Sequence, residues 1–204
     1  MARDKNEAVN SYITDMLALE DHIEKAIRGQ LEDLKDHPEV IAELSRILRK
    51  VEHHISDLRG LSERRGAGGI KESVKRAGSA VLGAAAGVID LVRAEGLPKN
   101  LRDDYTALSL ASIGYVMLHT TGLSLADREV ADLARQGFAD YAEAVSRLQA
   151  IIPAAVVGFL QQEGLPARED VVPEVRRTIH DVWQTQSSGV FGADEATVGG
   201  DLRP

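Results

Sequence analysis

The sequence predicts an all-α protein built as two antiparallel helix hairpins, joined by a long connection that carries a helix of its own. Three observations predict this class. Apolar residues recur every three or four positions over long segments, which is the period of an amphipathic helix. No segment shows the strict alternation typical of a strand. Short breaks such as residues 36–38 separate neighbouring helices, and short connections favour antiparallel pairs.

The composition fits one large domain followed by a tail. The chain has 204 residues, of which 44% are hydrophobic and 27% charged, enough to bury a core. The formal net charge of -8 argues against a nucleic-acid partner, because phosphate contacts need a basic face. The basic cluster of Arg46, Arg49 and Lys50 fits a solvated helix face.

Three features that the sequence lacks exclude further kinds of site and segment. Without cysteine, the chain has no disulfides, thiolate metal sites or cysteine nucleophiles. The first residues lack the apolar stretch of a signal peptide. The longest apolar run, residues 79–92, is shorter than the roughly 20 residues of a membrane-spanning helix. We therefore expect a cytoplasmic protein without a membrane segment.

The first hairpin places two polar residues where its pattern calls for apolar ones. We expect helices over residues 6–34 and 38–63, with Pro38 in the first turn of the second. Their stripes are Ile13, Met16, Glu20, Ile23, Ile27 and Leu31, and Leu44, Ile47, Val51, His54, Leu58 and Leu61. Glu20 and His54 interrupt these stripes. A carboxylate and an imidazole in a helix-bundle core are costly unless they are paired or bind metal.

The rest of the chain continues the helical pattern. Residues 64–69 are a Gly-rich connection, and residues 70–94 form a helical segment rich in Gly and Ala. Two long helices follow, separated near residues 121–124, with Ser124 expected to cap the second. The expected core faces are Ala107, Leu110, Gly114, Met117 and Thr121, and Val130, Ala134, Phe138, Tyr141, Val145, Leu148 and Ile152.

The C-terminal part is expected to be short and less regular. Pro153 should kink the fourth long helix. A short helix over residues 173–186 should follow, and then a flexible tail over residues 187–204. The predicted domains are therefore a helical bundle over residues 1–186 and a C-terminal tail over residues 187–204.

Several of these segments resemble a bacterial stress-associated family within the ferritin-like superfamily. The resemblance rests on residues 17–23, which read Leu-Ala-Leu-Glu-Asp-His-Ile, on the small-residue connection before residues 102–104, and on residues 107–115. It implies a ferritin-like four-helix bundle with a crossover helix and a short C-terminal helix. It also implies a carboxylate and histidine site of the kind that binds iron or manganese.

The candidate metal ligands match that site in part. They are Glu20, His54, Glu52, Asp140 and Glu143. Val51 stands three residues before His54, where a Glu-x-x-His motif would place its glutamate. Three interpretations stay open: a buried Glu20–His54 pair, a single metal ion, or a complete di-metal centre. Tyr115 and Tyr141 are expected in the core, with hydroxyls that reach a polar group such as Glu20.

The last residues resemble a recognition peptide. Val198, Gly199, Gly200, Leu202 and Arg203 are similar to the cargo-loading peptides of encapsulin nanocompartments. The resemblance implies a shell protein as partner, bound through two aliphatic side chains on a bent backbone. An ordinary terminus is the alternative.

Three functions follow as hypotheses. The first is a non-classical ferritin-like protein in stress or iron physiology, with an incomplete or absent di-metal site and hence either no cofactor or iron or manganese. The second is a non-catalytic interaction module that forms a homodimer through the Gly- and Ala-rich helix and the Pro153 segment. The third is an iron-dependent oxidase, which makes enzymatic activity an open question.

Overall fold

Five α-helices account for most of the residues that the structure describes. The computed structural model describes residues 4–66 and 96–191, with side chains as far as residue 185. The helices are α1 (Lys5–Asp33), α2 (Pro38–Arg64), α3 (Leu97–Ser124), α4 (Arg128–Gln162) and α5 (Val172–Phe191). A 3-10 turn, Glu169–Val171, precedes α5. No strand occurs within these ranges, so the all-α prediction is confirmed for them.

The chain divides into two compact units, residues 1–151 and residues 152–204. The boundary lies inside α4, whereas we predicted one domain up to residue 186. Helix α5 also continues to Phe191, past the expected start of the tail. Pro153 lies inside α4, which runs on to Gln162. The predicted helix over residues 70–94 and the tail residues 192–204 lie outside the described residues.

We predicted a chain without a membrane segment, and the length and composition of α4 are relevant to this prediction. It is the single described helix long and apolar enough to cross a membrane. Length and composition alone are weak support for a membrane span, because the core helix of a soluble bundle passes the same test.

The break between α3 and α4 differs from the prediction in its capping residue. Ser124 is the last residue of α3 and does not cap α4. Asp127 does so: its backbone oxygen accepts a bond from the Ala131 amide at 3.0 Å, and its Oδ1 lies 3.4 Å from the Val130 amide nitrogen. A Cβ on Gly122 would lie 2.7 Å from the Ala131 nitrogen, so this glycine lets the two helices approach closely.

Side-chain contacts fix the directions of the four helices in the first unit. Two side-chain hydrogen bonds join α1 and α2, Arg59 with Asp21 and Arg28 with Glu52. Between α3 and α4, Gln149 binds Tyr105, and Gly122 closely approaches Ala131. Between α1 and α3, Gln30 binds Asp104, and Met16 lies against Gly114. Between α2 and α4, Arg64 binds Glu129 and Arg147 binds Glu43. Every one of these pairs is antiparallel, so α2 and α3 run parallel to each other.

The parallel arrangement separates the end of α2 from the start of α3. Arg65, after α2, binds Asn6 and Asp127 at the end of the bundle where α1 and α4 begin. Asp104, near the start of α3, binds Gln30 close to the end of α1. The second and third helices are therefore not neighbours joined by a short turn, in agreement with two hairpins linked by a long connection.

The predicted core is confirmed for α1 and α2, and on α3 it is confirmed for Ala107 and wrong for two of the larger side chains. Every stripe residue of the first hairpin is buried except Leu31, which is half-buried. On α3, Leu110 and Met117 are 46% and 48% exposed, although both were expected in the core. The buried residues of α3 are Leu101, Asp104, Ala107, Leu108, Ala111, Tyr115, Leu118 and Gly122. Residues 106–124 of α3 carry no Asp, Glu, Lys or Arg on either face, so periodicity could not distinguish the two faces.

The prediction for α4 is confirmed in its main positions. Val130, Ala134, Tyr141 and Leu148 are buried. Phe138 is 40% exposed, and it is therefore a surface residue.

Candidate functional site

Glu20 lies at the centre of a polar cluster in the first unit. Its side chain is fully buried, at 0% exposure. The Tyr115 hydroxyl donates to Oε1 at 2.7 Å, and the Tyr141 hydroxyl donates to Oε2 at 2.5 Å. The predicted contact between these tyrosines and Glu20 is confirmed. Burial and the negative charge of Glu20 both raise the pKa of each phenol well above its ordinary value, so the phenols stay protonated as donors.

His54 connects Glu20 to a second carboxylate. Its Nδ1 lies 3.3 Å from Glu20 Oε1, an ion contact whose alignment falls short of a hydrogen bond. Its Nε2 lies 3.2 Å from Asp140 Oδ2. Burial by itself lowers the pKa of His54, but the two carboxylates more than offset it, and the pKa is raised above 6.5. The imidazolium form is therefore favoured between the two acids.

A lysine completes the cluster on its solvent side. Lys50 Nζ lies 2.8 Å from Asp140 Oδ1 and 2.7 Å from Glu143 Oε2. Burial raises the pKa of Asp140, but hydrogen bonds from Lys50, His54 and Gln136 outweigh it and hold the pKa below its usual value. Glu20, His54, Asp140 and Lys50 thus form a chain of alternating acidic and basic side chains from the core to the surface.

The helices place these side chains through simple spacing and one close contact. Lys50 and His54 are four residues apart on α2, so they share a face. The His54 ring centroid lies 5.4 Å from that of Tyr115 and 5.2 Å from that of Tyr141. On α4, a Cβ at Gly137 would lie 2.6 Å from Tyr115 Cε1. Only a glycine there leaves room for the Tyr115 ring to reach Glu20.

The five predicted metal ligands do not come together. Glu20, His54 and Asp140 belong to the cluster, and Glu143 reaches it through Lys50. Glu52 does not: its side chain is 44% exposed and pairs with Arg28 at 2.7 Å. It stands two residues before His54, about 200° away around α2, so it faces away from the bundle interior.

Sequence reasoning missed Lys50 and Gly137. We read Lys50 with Arg46 and Arg49 as part of a solvated face, yet it binds two acids of α4. Its position one turn before His54 on the same face was the available signal. Gly137 carried no signal, because its role depends on a ring from another helix.

The geometry does not fit an iron or manganese centre. Glu20 and Asp140 contact opposite nitrogens of the His54 ring, so an ion bound to either nitrogen could reach only one of these carboxylates. The Lys50 ammonium also lies where a cation would neutralise Asp140 and Glu143. Over residues 4–66 and 96–191, no group of three or more His, Cys, Asp or Glu side chains could hold a metal ion.

A second polar contact lies between α1 and α3, near the end of α1. Gln30 Nε2 donates to Asp104 Oδ1 at 2.8 Å, while the buried Asp104 Oδ2 and Gln30 Oε1 have no hydrogen-bond partner. Burial raises the pKa of Asp104 to about 7, with Gln30 opposing the shift and Asp103 adding to it. Because Asp104 carries a raised pKa of its own, its ionisation has to be separated from that of His54 in any pH experiment.

Comparisons with known proteins establish similarity of fold and nothing finer. No protein-family model and no curated protein matches the chain. A similar solved structure is the crystal structure of a protein from Xanthomonas campestris pv. campestris, with a TM-score of 0.62 and 17% sequence identity. The match covers 79% of this chain and 99% of the other. At this identity the likeness concerns the fold alone.

Proposed function

We propose that this chain is a non-classical ferritin-like protein that acts as a non-catalytic helical module in stress or iron physiology. In this proposal, the polar cluster occupies the place of a di-metal centre. Hydrogen bonds and the Lys50 ammonium, in place of metal ions, stabilise its acids. The parallel α2 and α3 helices support the ferritin-like assignment, since such bundles join two hairpins by one long crossover. Glu20, His54 and Asp140 come from three helices and meet in the bundle interior. Their meeting supports the comparison of this cluster with a di-metal centre.

One observation carries this proposal: the carboxylate oxygens of Glu20 and Asp140 already have proton donors. Both Glu20 oxygens accept from tyrosines, and Asp140 accepts from Lys50 and faces His54. Lys50 pairs with Asp140, and the raised pKa of His54 favours a positive charge between the two acids. A metal ion would have to displace these donors and expel a buried positive charge, whereas the present arrangement leaves neither acid unpaired.

Metal analysis of the protein purified without chelator tests the proposal. We expect far less than one iron, manganese or zinc per chain, no change in melting temperature with EDTA, and no oxidation of added iron(II) above the buffer rate. Glu20→Gln and Glu52→Gln are the matched pair of variants, inside and outside the cluster. Stoichiometric metal or iron oxidation that disappears in Glu20→Gln but persists in Glu52→Gln would overturn the proposal and favour the oxidase.

The encapsulin hypothesis concerns residues outside the described part of the chain and is tested separately. Its support is the resemblance of Val198, Gly199, Gly200, Leu202 and Arg203 to cargo-loading peptides. We expect that deletion of residues 192–204 abolishes co-purification with a co-expressed shell protein and leaves the melting temperature unchanged. Equal recovery of the shell with both forms would contradict it.

A further inference from the structure

Two buried oxygens between α1 and α3 lack a hydrogen-bond donor. They are Asp104 Oδ2 and Gln30 Oε1. They belong to two groups that one hydrogen bond already joins, from Gln30 Nε2 to Asp104 Oδ1 at 2.8 Å. Asp104 is itself buried, at 5% exposure. Because a buried acceptor without a donor costs free energy, the unpaired oxygens indicate that this pair holds a further hydrogen atom.

A single proton satisfies both oxygens. A neutral carboxylic acid has one O–H donor beside its acceptor oxygen, and the amide of glutamine has both a donor and an acceptor. With a proton on Asp104 Oδ2, the acid donates to Gln30 Oε1, while Gln30 Nε2 donates to Asp104 Oδ1. The two groups are then joined by two hydrogen bonds in a closed ring, and neither oxygen stays unpaired.

The charged neighbours of Asp104 on α3 favour this proton. Asp103 is an acid and pairs with Arg102. Lys99 stands four residues before Asp103, so it shares the face of Asp103 and not that of Asp104. Burial raises the pKa of Asp104 to about 7, with the Gln30 bond opposing the shift and the charge of Asp103 adding to it. An acid in these surroundings keeps its proton more readily than one in water.

The other helices at this end of the bundle supply no balancing charge. On α1, the acid Asp33 follows Gln30 by three residues and is exposed. From α2 and α4 come Glu43 and Arg147, which bind each other at 2.9 Å, so this arginine is already paired. Among the residues that the structure describes, no cation pairs with Asp104, and a buried carboxylate without a cation is neutralised by a proton.

We propose that Asp104 is a neutral acid in the folded protein, joined to the Gln30 amide by a ring of two hydrogen bonds, and that loss of its proton opens this contact. Gln30 lies in the last turn of α1, and Asp104 lies in the second turn of α3. An alkaline shift therefore loosens the start of α3. Tyr115 stands three turns further along the helix, so its bond to Glu20 is expected to persist.

The pH dependence of stability tests the proposal through Asp104→Asn. The asparagine amide makes the same two hydrogen bonds and has no proton to lose. The acid has a folded-state pKa of about 7 against 3.8 in the unfolded chain. The folding equilibrium constant of the wild type, relative to Asp104→Asn, should therefore fall by up to about tenfold per pH unit between these values and level off above them. Both proteins retain His54, so its contribution cancels.

Asp103→Asn is the matched control, because it removes the neighbouring acid and leaves the ring intact. It should keep a slope close to that of the wild type.

Infrared spectroscopy detects the neutral acid directly. At about pH 6 most exposed carboxyl groups are ionised, so the C=O stretching band of a neutral carboxylic acid reports a buried one. We expect this band in the wild type and in Asp103→Asn, and we expect it to disappear in Asp104→Asn.

An exchanged pair tests the ring itself. Gln30→Glu combined with Asp104→Asn places the acid on α1 and the amide on α3. Because the ring accepts the two groups in either order, the double variant should regain the infrared band and the pH slope that Asp104→Asn alone removes.

Amide hydrogen exchange locates the opening. Above the pKa of Asp104, residues 97–108 should be less protected in the wild type than in Asp104→Asn, whereas residues 109–122 should be equally protected in both.

Four results would overturn the proposal. The first is parallel pH profiles of the wild type and Asp104→Asn without a neutral-acid band. The second is strong destabilisation of Asp104→Asn at about pH 6, since the amide should replace the acid. The third is equal protection of residues 97–108 in both proteins above the pKa of Asp104. The fourth is stabilisation of the wild type, but not of Asp104→Asn, by calcium or magnesium chloride, which would assign the two oxygens to a cation. None of these readouts involves Glu20 or added iron, so they are separate from the test of the proposed function.

Discussion

The α1–α2 hairpin and the α3–α4 hairpin distribute charge in opposite ways. The first hairpin buries Glu20, Glu43 and His54, and it covers its outside with ion pairs such as Arg28–Glu52. The second buries one acid, Asp104, places neutral phenols against Glu20, and carries no charged residue over residues 106–124 of α3. Buried charge is stable here because the partner hairpin supplies its hydrogen bonds, whereas the uncharged stretch of α3 exposes apolar side chains in place of ion pairs.

The largest expected effect comes from removing the buried acid. Glu20→Ala leaves the imidazolium of His54 and two phenol hydroxyls without their acceptor, so the free energy of unfolding should fall by about 3–5 kcal/mol. Glu52→Ala removes a solvent-exposed acid of the same hairpin and should cost about 1 kcal/mol or less. Urea denaturation followed by far-UV circular dichroism measures both. Equal losses in the two variants would show that the cluster contributes no more than a surface pair.

A smaller effect is expected from the contact that joins the hairpins. Gly137→Ala pushes a methyl group against the Tyr115 ring and should cost about 1–3 kcal/mol, although alanine is the better helix former. Gly158→Ala, also in α4, meets no heavy atom within 4 Å and should gain up to about 1 kcal/mol. The same denaturation experiment compares them. If Gly137→Ala is as stabilising as Gly158→Ala, the close approach of α4 to Tyr115 is absent in solution.

The smallest expected effect is a pH dependence of the cluster. The folded-state pKa of His54 is raised above 6.5, so its stabilising contribution is complete below pH 6.5 and is lost as the pH rises through the folded pKa. In Glu20→Gln the shift is smaller, because one of the two acids that cause it is gone. The stability difference between wild type and Glu20→Gln should therefore be greatest below pH 6.5 and shrink above it.

Asp104 also contributes to the pH dependence of stability, so its contribution must cancel in that comparison. Its pKa is raised to about 7, so its ionisation also costs stability as the pH rises from its unfolded value of 3.8. Both proteins retain Asp104, and subtraction of the two pH profiles removes its contribution. If the difference in unfolding free energy between the two proteins stays constant as the pH rises through and above 6.5, the protonation of His54 is not linked to Glu20.

The sequence by itself determined the helical class, the first hairpin and the chemistry of its interior. The apolar stripes of α1 and α2 are flanked by charged residues, so their periodicity identifies the buried face unambiguously. Glu20 and His54 could be recognised because each interrupts such a stripe. Tyr141 belonged to the predicted stripe of α4, whereas Tyr115 was expected in the core although it lay outside the predicted stripe of α3, and both reach Glu20.

Only the tertiary structure decided which face of α3 is buried and which groups neutralise the acids. An uncharged helix is apolar on every side, so its orientation depends on the helices packed against it, as the exposed Leu110 and Met117 illustrate. The roles of Lys50 and Gly137 depend on residues about 90 and 20 positions away in the chain. Local periodicity carries no information about such distant partners, because they meet only when the two hairpins pack.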